Sequence, residues 1–244
     1  MKTLEDVNIS ILALTYGRPE HTAKVWANNL NNHRFPGQIH LSHWDNSKIE
    51  DSEAIQTICE QYDRGSSFVD FENKGISAPL NKMMKIAFES GSDFVVTMAN
   101  DILEPEGWIA RMVLAAMEIP KVGVIAIPPK DSTVMRYPSK NIYGWNIEEG
   151  DVIGNYTITA ELWKEIGGFS EEYGMYGPID LDYCARARLA GFKTIYLSDM
   201  TSEHIGLVQE PDYYAPKADS LLKAWPKFYQ NLMQYKYGTK NLKV

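Results

Sequence analysis

Short apolar runs alternate along the chain with stretches in which apolar residues recur every three or four positions. Residues 7–14 are apolar and rich in β-branched side chains, which predicts a strand; Pro19 then opens a helix predicted to run to about residue 31. The same criteria predict strands at 38–44, 67–71, 94–98 and 122–127, and helices at 53–62, 77–90 and 106–117. The helix from residue 77 is the most clearly written. Ser77 is placed as its N-cap and Pro79 in its first turn; Leu80, Met83, Met84, Ala87 and Phe88 share one face, and Gly91 ends it. This strand–helix rhythm predicts an α/β fold with a mostly parallel sheet covered by helices on both faces.

The pattern lapses over residues 128–150 into Pro, Ser, Asn, Tyr and Gly. That is long for a connection in a compact domain, so a binding loop or lid is expected there. Beyond it come a strand at 153–158, a short helix at 160–166, a strand at 193–197 and an amphipathic C-terminal helix at 221–235. Between them lies GGFSEEYGMYGPIDLDYCARARLAGF, residues 167–192. Here Asp180 and Asp182 stand at the start of a predicted helix whose apolar face is Leu181, Cys184, Ala185 and Leu189, with Gly191 as its stop. Carboxylates in a first turn are favoured by the helix dipole. The alternative is that one of them is a general base at the mouth of a cleft.

Length and composition bound these options. A chain of 244 residues, 44% apolar and 23% charged, suits one soluble α/β domain with a C-terminal appendage. No apolar run approaches the roughly 20 residues that span a bilayer. The N-terminal MKTLEDVNISILAL has acidic residues ahead of its apolar run and no small-residue cleavage site, so it reads as a strand and a cytoplasmic location is expected. Cys59 and Cys184 form neither a disulfide framework nor a metal-ligand spacing, and reduced thiols are expected. A net charge of −8 argues against coating a nucleic-acid backbone; the six lysines of residues 217–243 read as a solvated helix face.

In open α/β sheets ligands bind at the carboxyl ends of the strands. Four successive predicted strands deliver polar residues to that edge: Thr15-Tyr16-Gly17-Arg18-Pro19, Asp45-Asn46-Ser47, Glu72-Asn73-Lys74-Gly75 and Asn100-Asp101. Each alone is ordinary turn chemistry; their recurrence at one edge points to a site. Neither a dinucleotide-binding nor a P-loop glycine pattern occurs, which disfavours those enzyme classes.

Taken in order, these segments resemble a GT-A fold glycosyltransferase of the family-2-like, nucleotide-sugar-dependent group. Thr15 to Pro19 resembles T-x-N-R-P with Gly17 in place of Asn; Asp45-Asn46-Ser47 resembles D-N-x-S; Asn73-Lys74-Gly75 with Asn81 resembles N-x-G-x-x-x-x-x-N. Asn100-Asp101 falls where the metal-binding D-x-D lies, and Gly167-Gly168-Phe169 with Asp180, Asp182 and Arg186 resembles G-G-F-D-E…E-D-x-D-x-x-x-R. His204 in Glu203-His204-Ile205-Gly206 matches a late metal-ligand histidine, and Tyr235-Lys236-Tyr237-Gly238 resembles a Y-x-K-W-G closing motif.

The resemblance implies a glycosyltransferase domain over residues 1–210, with a donor half of about 1–127 and an acceptor half of about 128–210, and a C-terminal helical extension at 211–244. It implies transfer of a hexosyl or pentosyl group from a nucleoside-diphosphate sugar, UDP-sugar favoured, to an acceptor hydroxyl with inversion. Asp180 would be the general base, and Mn2+ or Mg2+ would sit at Asp101 and His204 on the diphosphate. Thr15, Tyr16, Arg18, Asp45, Asn73, Lys74 and Asn100 would bind the donor. Trp145, Ile179 and Asp182 would face the acceptor, although Asp182 is better placed to steady the helix start or orient Arg186 at i+4. The acceptor would be a glycan or another hydroxyl compound, a modified DNA base being less favoured on charge.

Two departures stand out. The D-x-D position reads Ala99-Asn100-Asp101, one carboxylate short, and Ile179 replaces the Glu that precedes the base. They motivate an alternative, a catalytically impaired module that binds a nucleotide sugar or a carbohydrate. A nucleotidyltransferase would need a Gly-rich basic loop after the first strand, which Thr15 to Pro19 does not supply. His21, His33, His40 and His43 are assigned to structure or surface.

Overall fold

A computed structural model describes residues 2–62, 66–70, 72–130, 138–205 and 211–244. Phe71 of the third predicted strand, Gly206 and residues 131–137 lie outside the described residues. The main sheet has nine strands: β1 (Asn8–Thr15), β2 (Gln38–Asp45), β3 (Ser67–Val69), β4 (Phe94–Met98), β6 (Val122–Ala126), β7 (Lys140–Ile142), β8 (Trp145–Glu149), β9 (Tyr156–Thr159) and β10 (Lys193–Leu197). Their order is β3-β2-β1-β4-β9-β6-β10-β8-β7. The β1–β2, β1–β4, β2–β3 and β6–β10 pairs are parallel, while β9 runs antiparallel to both β4 and β6. A separate two-stranded ribbon joins β5 (Ile102–Leu103) to β11 (Glu203–His204). The expected α/β architecture with a mostly parallel sheet is observed.

Alternation along β1 shows how the sheet is covered on both faces. Ile9, Ile11 and Ala13 enter one apolar core, with Val25 and Trp26 of α1 (Pro19–Asn32) and Trp108, Met112 and Val113 of α4 (Trp108–Glu118). Leu12 faces the other, with Leu80, Met83 and Phe88 of α3 (Ser77–Glu89), Leu162 of α5 (Ala160–Ile166), and Tyr183 and Cys184 of α6 (Ile179–Leu189). The remaining helices are α2 (Ile49–Glu60), which starts earlier than expected, and α7 (Pro211–Lys236), which starts ten residues earlier.

The 128–150 stretch departs most from expectation. Within its described part, β7 and β8 form a hairpin closed by Tyr143 and Gly144, both at positive φ (53° and 86°), as a two-residue turn of the right twist requires. β8 pairs with β10, so residues 140–149 extend the sheet instead of forming a lid. Ser77 also differs, because Ile76 takes the cap position and the Ser77 hydroxyl makes no capping bond.

Asn81 explains one motif spacing. From α3 its amide donates to the Phe169 carbonyl (2.9 Å) and accepts from the Phe169 N–H (2.7 Å). A Cβ on Gly168 would stand 2.3 Å from the Asn81 Oδ1, so glycine is required there.

Asp182 and Arg186 form a fully buried ion pair, Nε to Oδ2 at 2.8 Å. Arg186 also donates to the carbonyls of Ile166 (3.0 Å), Gly168 (2.7 Å) and Leu242 (3.2 Å), and Tyr173 donates to Asp182 (2.6 Å). Removing one partner of such a pair leaves a buried charge unmatched. Arg186→Met is therefore expected to lower unfolding free energy by about 3–5 kcal/mol in urea titrations. A loss under 1 kcal/mol would contradict that role for the pair.

Candidate active site

The carboxyl ends of β1, β2 and β4 are stitched into one edge. The Asn46 N–H donates to the Thr15 carbonyl (3.0 Å), the Gly17 N–H to the Ser47 hydroxyl (2.8 Å), and the Asn100 amide to the Gly17 carbonyl (3.4 Å) and Thr22 hydroxyl (3.3 Å). Arg18 follows Gly17, and both residues have positive φ. For a non-glycine residue this is a strained conformation, of the kind that recurs at functional sites.

Arg18 turns its guanidinium onto the β4 end, with Nη2 2.9 Å from Asp101 Oδ2 and 3.3 Å from Asn100 Oδ1. The β5–β11 ribbon brings in His204. Its register opposes His204 with Ile102, the Ile205 N–H donates to the Asp101 carbonyl (2.9 Å), and His204 Nε2 lies 3.5 Å from the same Asp101 Oδ2. Burial pushes the Asp101 carboxyl up, but His204 and then Arg18 outweigh it and hold the group well below the usual carboxylate range.

Asp180 lies by the same edge, in the first turn of α6. Tyr156, the first residue of β9, donates to Asp180 Oδ1 at 2.8 Å. The preceding Asn155 accepts from the Ala99 N–H (2.7 Å), which ties this corner to the Asn100-Asp101 turn. Burial raises the Asp180 carboxyl to about 6 and the Tyr156 hydrogen bond opposes the rise, so the group is ionised at neutral pH yet basic enough to take a proton.

The donor-side residues divide into buried supports and exposed candidates. Asp45 is completely buried: Thr15 (3.0 Å), the Ser47 N–H (3.0 Å), Ser52 (2.7 Å) and Gln56 (3.5 Å) surround its carboxylate. Because the Thr15 hydroxyl donates to Asp45, it accepts from His43 Nε2 at 2.8 Å; His43 Nδ1 is then the acceptor facing the Cys59 thiol at 3.4 Å. Burial holds His43 down to about 4, so it is neutral. Asp45 and Thr15, expected at the donor, spend these polar atoms on one another and on their neighbours. Tyr16 is half-buried, Asn73 caps the Gly75 N–H (2.8 Å), and Lys74 is exposed and paired with Glu72.

The three residues expected at the acceptor lie in packed surroundings. Trp145 sits in β8 on the opposite face of the sheet, its indole N–H bonded to Glu118 (2.7 Å) and its ring under Arg111. Ile179 is a core residue and Asp182 is the buried partner of Arg186. None of the three faces an open cleft.

Four contributors were missed from the sequence. Tyr156 and Asn155 follow an irregular stretch that carries no signal. Lys217, in α7, places its amine 5.2 Å from the Tyr176 ring; burial lowers it to about 8, while Asp101 pulls it up and Arg18 pushes it down. Glu104 is buried, accepts from Asn155 (2.9 Å), and leaves Oε2 without a partner.

As for a metal, no group of three or more His, Cys, Asp and Glu that could hold an ion exists among the described residues. Asp101 and His204 do present one hard carboxylate oxygen and one imidazole side by side. That fits a Mn2+ or Mg2+ ion whose remaining ligands are substrate phosphates and water. The surface groove of about 460 Å3 beside the C-terminal tail, lined by Ser170, Glu171 and Lys240, contains none of these groups. A second, of about 400 Å3, runs past Ser52 and Gln56, the residues that bond Asp45.

Burial raises the Glu104 carboxyl to about 8, with Asn155 opposing. From its ordinary value of 4.5 up to about 8 the native state therefore keeps a proton that the unfolded chain releases, and stability falls as pH rises. Glu104→Gln is expected to gain on the wild type by up to roughly 1.4 kcal/mol per pH unit in that window. Urea unfolding at pH 5 and pH 8 checks this; parallel pH dependence in both proteins would refute it.

No protein-family model and no curated protein matches the chain. Solved structures do. The mannosyltransferase PcManGT from Pyrobaculum calidifontis, in complex with GDP-Man and Mn2+, matches with a TM-score of 0.64 at 16% identity, over 85% of this chain and 59% of that one. GalNAc-T7 with UDP, GalNAc and Mn2+ matches at 0.66 and 10% identity, over 81% of this chain and 44% of that one. S. aureus TarS matches at 0.59 and 16% identity, over 86% of this chain and 38% of that one. The chain thus spans between about two fifths and three fifths of these proteins' lengths. Its architecture is that of the GT-A glycosyltransferases.

Proposed function

We propose that the chain is a glycosyltransferase that moves a sugar from a nucleoside-diphosphate donor, UDP-linked by preference, to an acceptor hydroxyl with inversion. The observation that carries this reading is the sheet edge itself: a carboxylate and an imidazole converge at Asp101 Oδ2, and a carboxyl raised to about 6 stands beside the same corner at Asp180. The GT-A architecture, and the nucleotides and Mn2+ bound in two structural neighbours, support it.

In the mechanism Asp180 accepts the proton of the acceptor hydroxyl as its oxygen bonds to the anomeric carbon. The bond from that carbon to the diphosphate oxygen breaks, and the leaving group takes the electron pair. Asp101 and His204 would hold the divalent ion, which supplies Lewis-acid neutralisation of the leaving diphosphate. Tyr156 orients the Asp180 carboxylate and holds its basicity down. Asn81, which clamps the Phe169 turn, keeps the acceptor side against α3. Asp45 serves the donor side indirectly, by fixing the β1 and β2 ends through Thr15 and Ser47.

A second reading, a binding module without transfer activity, draws on Asn100 in place of a carboxylate and on Arg18 seated on Asp101. Thermal-shift measurements over UDP-, GDP-, dTDP- and CMP-sugars, with and without Mn2+, separate the two. The transferase reading expects one nucleotide class to stabilise the protein with Mn2+ dependence, followed by transfer or donor hydrolysis. Stabilisation without metal dependence or turnover favours the module.

Asp180→Asn is expected to lower kcat by about 10²–10⁴-fold with donor binding retained. Full activity in that variant would remove Asp180 from the base role. The wild-type pH profile should rise through an acid limb near 6, the value raised by burial. Tyr156→Phe removes a hydrogen bond that lowers that value, so its acid limb should move to higher pH. A limb that stays in place assigns the titration to another group.

A further inference from the structure

We infer that Arg18 is a built-in counter-cation that holds Asp101 until a donor arrives, and must leave it before a divalent ion can bind. This rests on the reading of Asp101 and His204 as the ion's ligands. Arg18 and His204 converge on one oxygen, Asp101 Oδ2, at 2.9 and 3.5 Å. An ion coordinated between that oxygen and the imidazole needs the space and the lone pairs that the guanidinium uses. The two cations are therefore alternatives, not neighbours.

The backbone around Arg18 suits an exchange confined to the side chain. Its carbonyl accepts from the Thr22 N–H (3.0 Å) and the Gly17 N–H donates to Ser47 (2.8 Å), so both flanks are anchored. The left-handed conformation at φ 56° aims the side chain across the strand ends towards Asn100 and Asp101. Its mobile part is the guanidinium, whose planar fork matches phosphate oxygens as well as it matches a carboxylate.

Charge then sets the order of binding. Among the described residues Asp101 interacts with two basic side chains, Arg18 and Lys217, and the D-x-D position contributes the neutral Asn100. A bare divalent ion must displace Arg18 into a cluster that already has no excess of negative charge. A nucleoside diphosphate reverses this balance, because it offers Arg18 and Lys217 new oxygen partners and brings its own ligands to the ion. Ion and diphosphate thus favour each other's binding, and the coupling is the same in both directions.

The test measures Mn2+ binding directly, by electron paramagnetic resonance of the free ion, on wild type, Arg18→Gln, Arg18→Lys and Asp101→Asn, each shown folded by its melting temperature. With Mn2+ alone, Arg18→Gln should bind at least tenfold tighter than wild type, and Arg18→Lys, which keeps the charge, should stay within threefold of it. Added UDP or GDP should tighten Mn2+ binding more in the wild type than in Arg18→Gln. If Arg18→Gln binds Mn2+ no tighter while Asp101→Asn loses it, the Arg18 role is overturned and the metal reading stands. If Asp101→Asn binds Mn2+ as the wild type does, the metal reading fails and takes this inference with it.

Discussion

The buried pair of Asp182 and Arg186 is the constraint on which the α6 side of the fold depends. Arg186 gathers the carbonyls ending α5, the Gly167-Gly168 turn and the chain near Leu242 onto one guanidinium, while Asp182 neutralises it and takes the Tyr173 hydroxyl. Asn231 of α7 donates to the same Tyr173 oxygen (2.9 Å), so the C-terminal helix is drawn into the network. A buried pair gains little net stability from its own attraction, because both charges lose water. What it contributes here is position. The start of α6, and with it Asp180, is fixed relative to α5, α7 and the C-terminal tail by bonds that cannot be exchanged for solvent.

The carboxyl ends of β1, β2 and β4 use the opposite strategy. Their polar groups are satisfied by one another across these strands, with Asp45 as the buried acceptor that draws in Thr15, Ser47 and Ser52. Only at Asp101 does that mutual satisfaction reach the surface. There the facing groups come from different elements: the Arg18 guanidinium from the β1 end, the His204 imidazole from the β5–β11 ribbon, the Lys217 amine from α7. A carboxylate reached from three directions is a site where partners can be exchanged, which Asp45, enclosed on every side, is not.

The strand–helix order was legible because hydrophobic period is a local property. β1, β2, α1, β4, α5 and β10 fall within a residue or two of where the pattern puts them. The hairpin at residues 140–149 was not legible, because its edge strands are short and polar, and Tyr143 at positive φ disguises the turn. Site residues divide the same way. Asp101, His204, Arg18 and Asp180 stand at element ends and converge on one edge, whereas Trp145 looked like a loop aromatic and proved to be a strand residue packed beneath Arg111. Tyr156 carried no signal, since its role depends on β9 being inserted antiparallel between β4 and β6, a long-range pairing that no local pattern encodes.

The two aspartates of α6 show why residue type and spacing alone could not assign roles. Both lie in the first turn, and the helix dipole favours an anion at either. Two positions apart on a helix they point about 200° away from each other. One side of α6 meets Arg186, Tyr173 and the backbone carbonyls, and a carboxylate there is locked. The other meets Tyr156 at the sheet edge, where among the described residues a single hydroxyl is its hydrogen-bonded side-chain partner and burial raises its affinity for a proton. Identical chemistry thus becomes a structural anion in one setting and, in the proposed mechanism, a proton acceptor in the other.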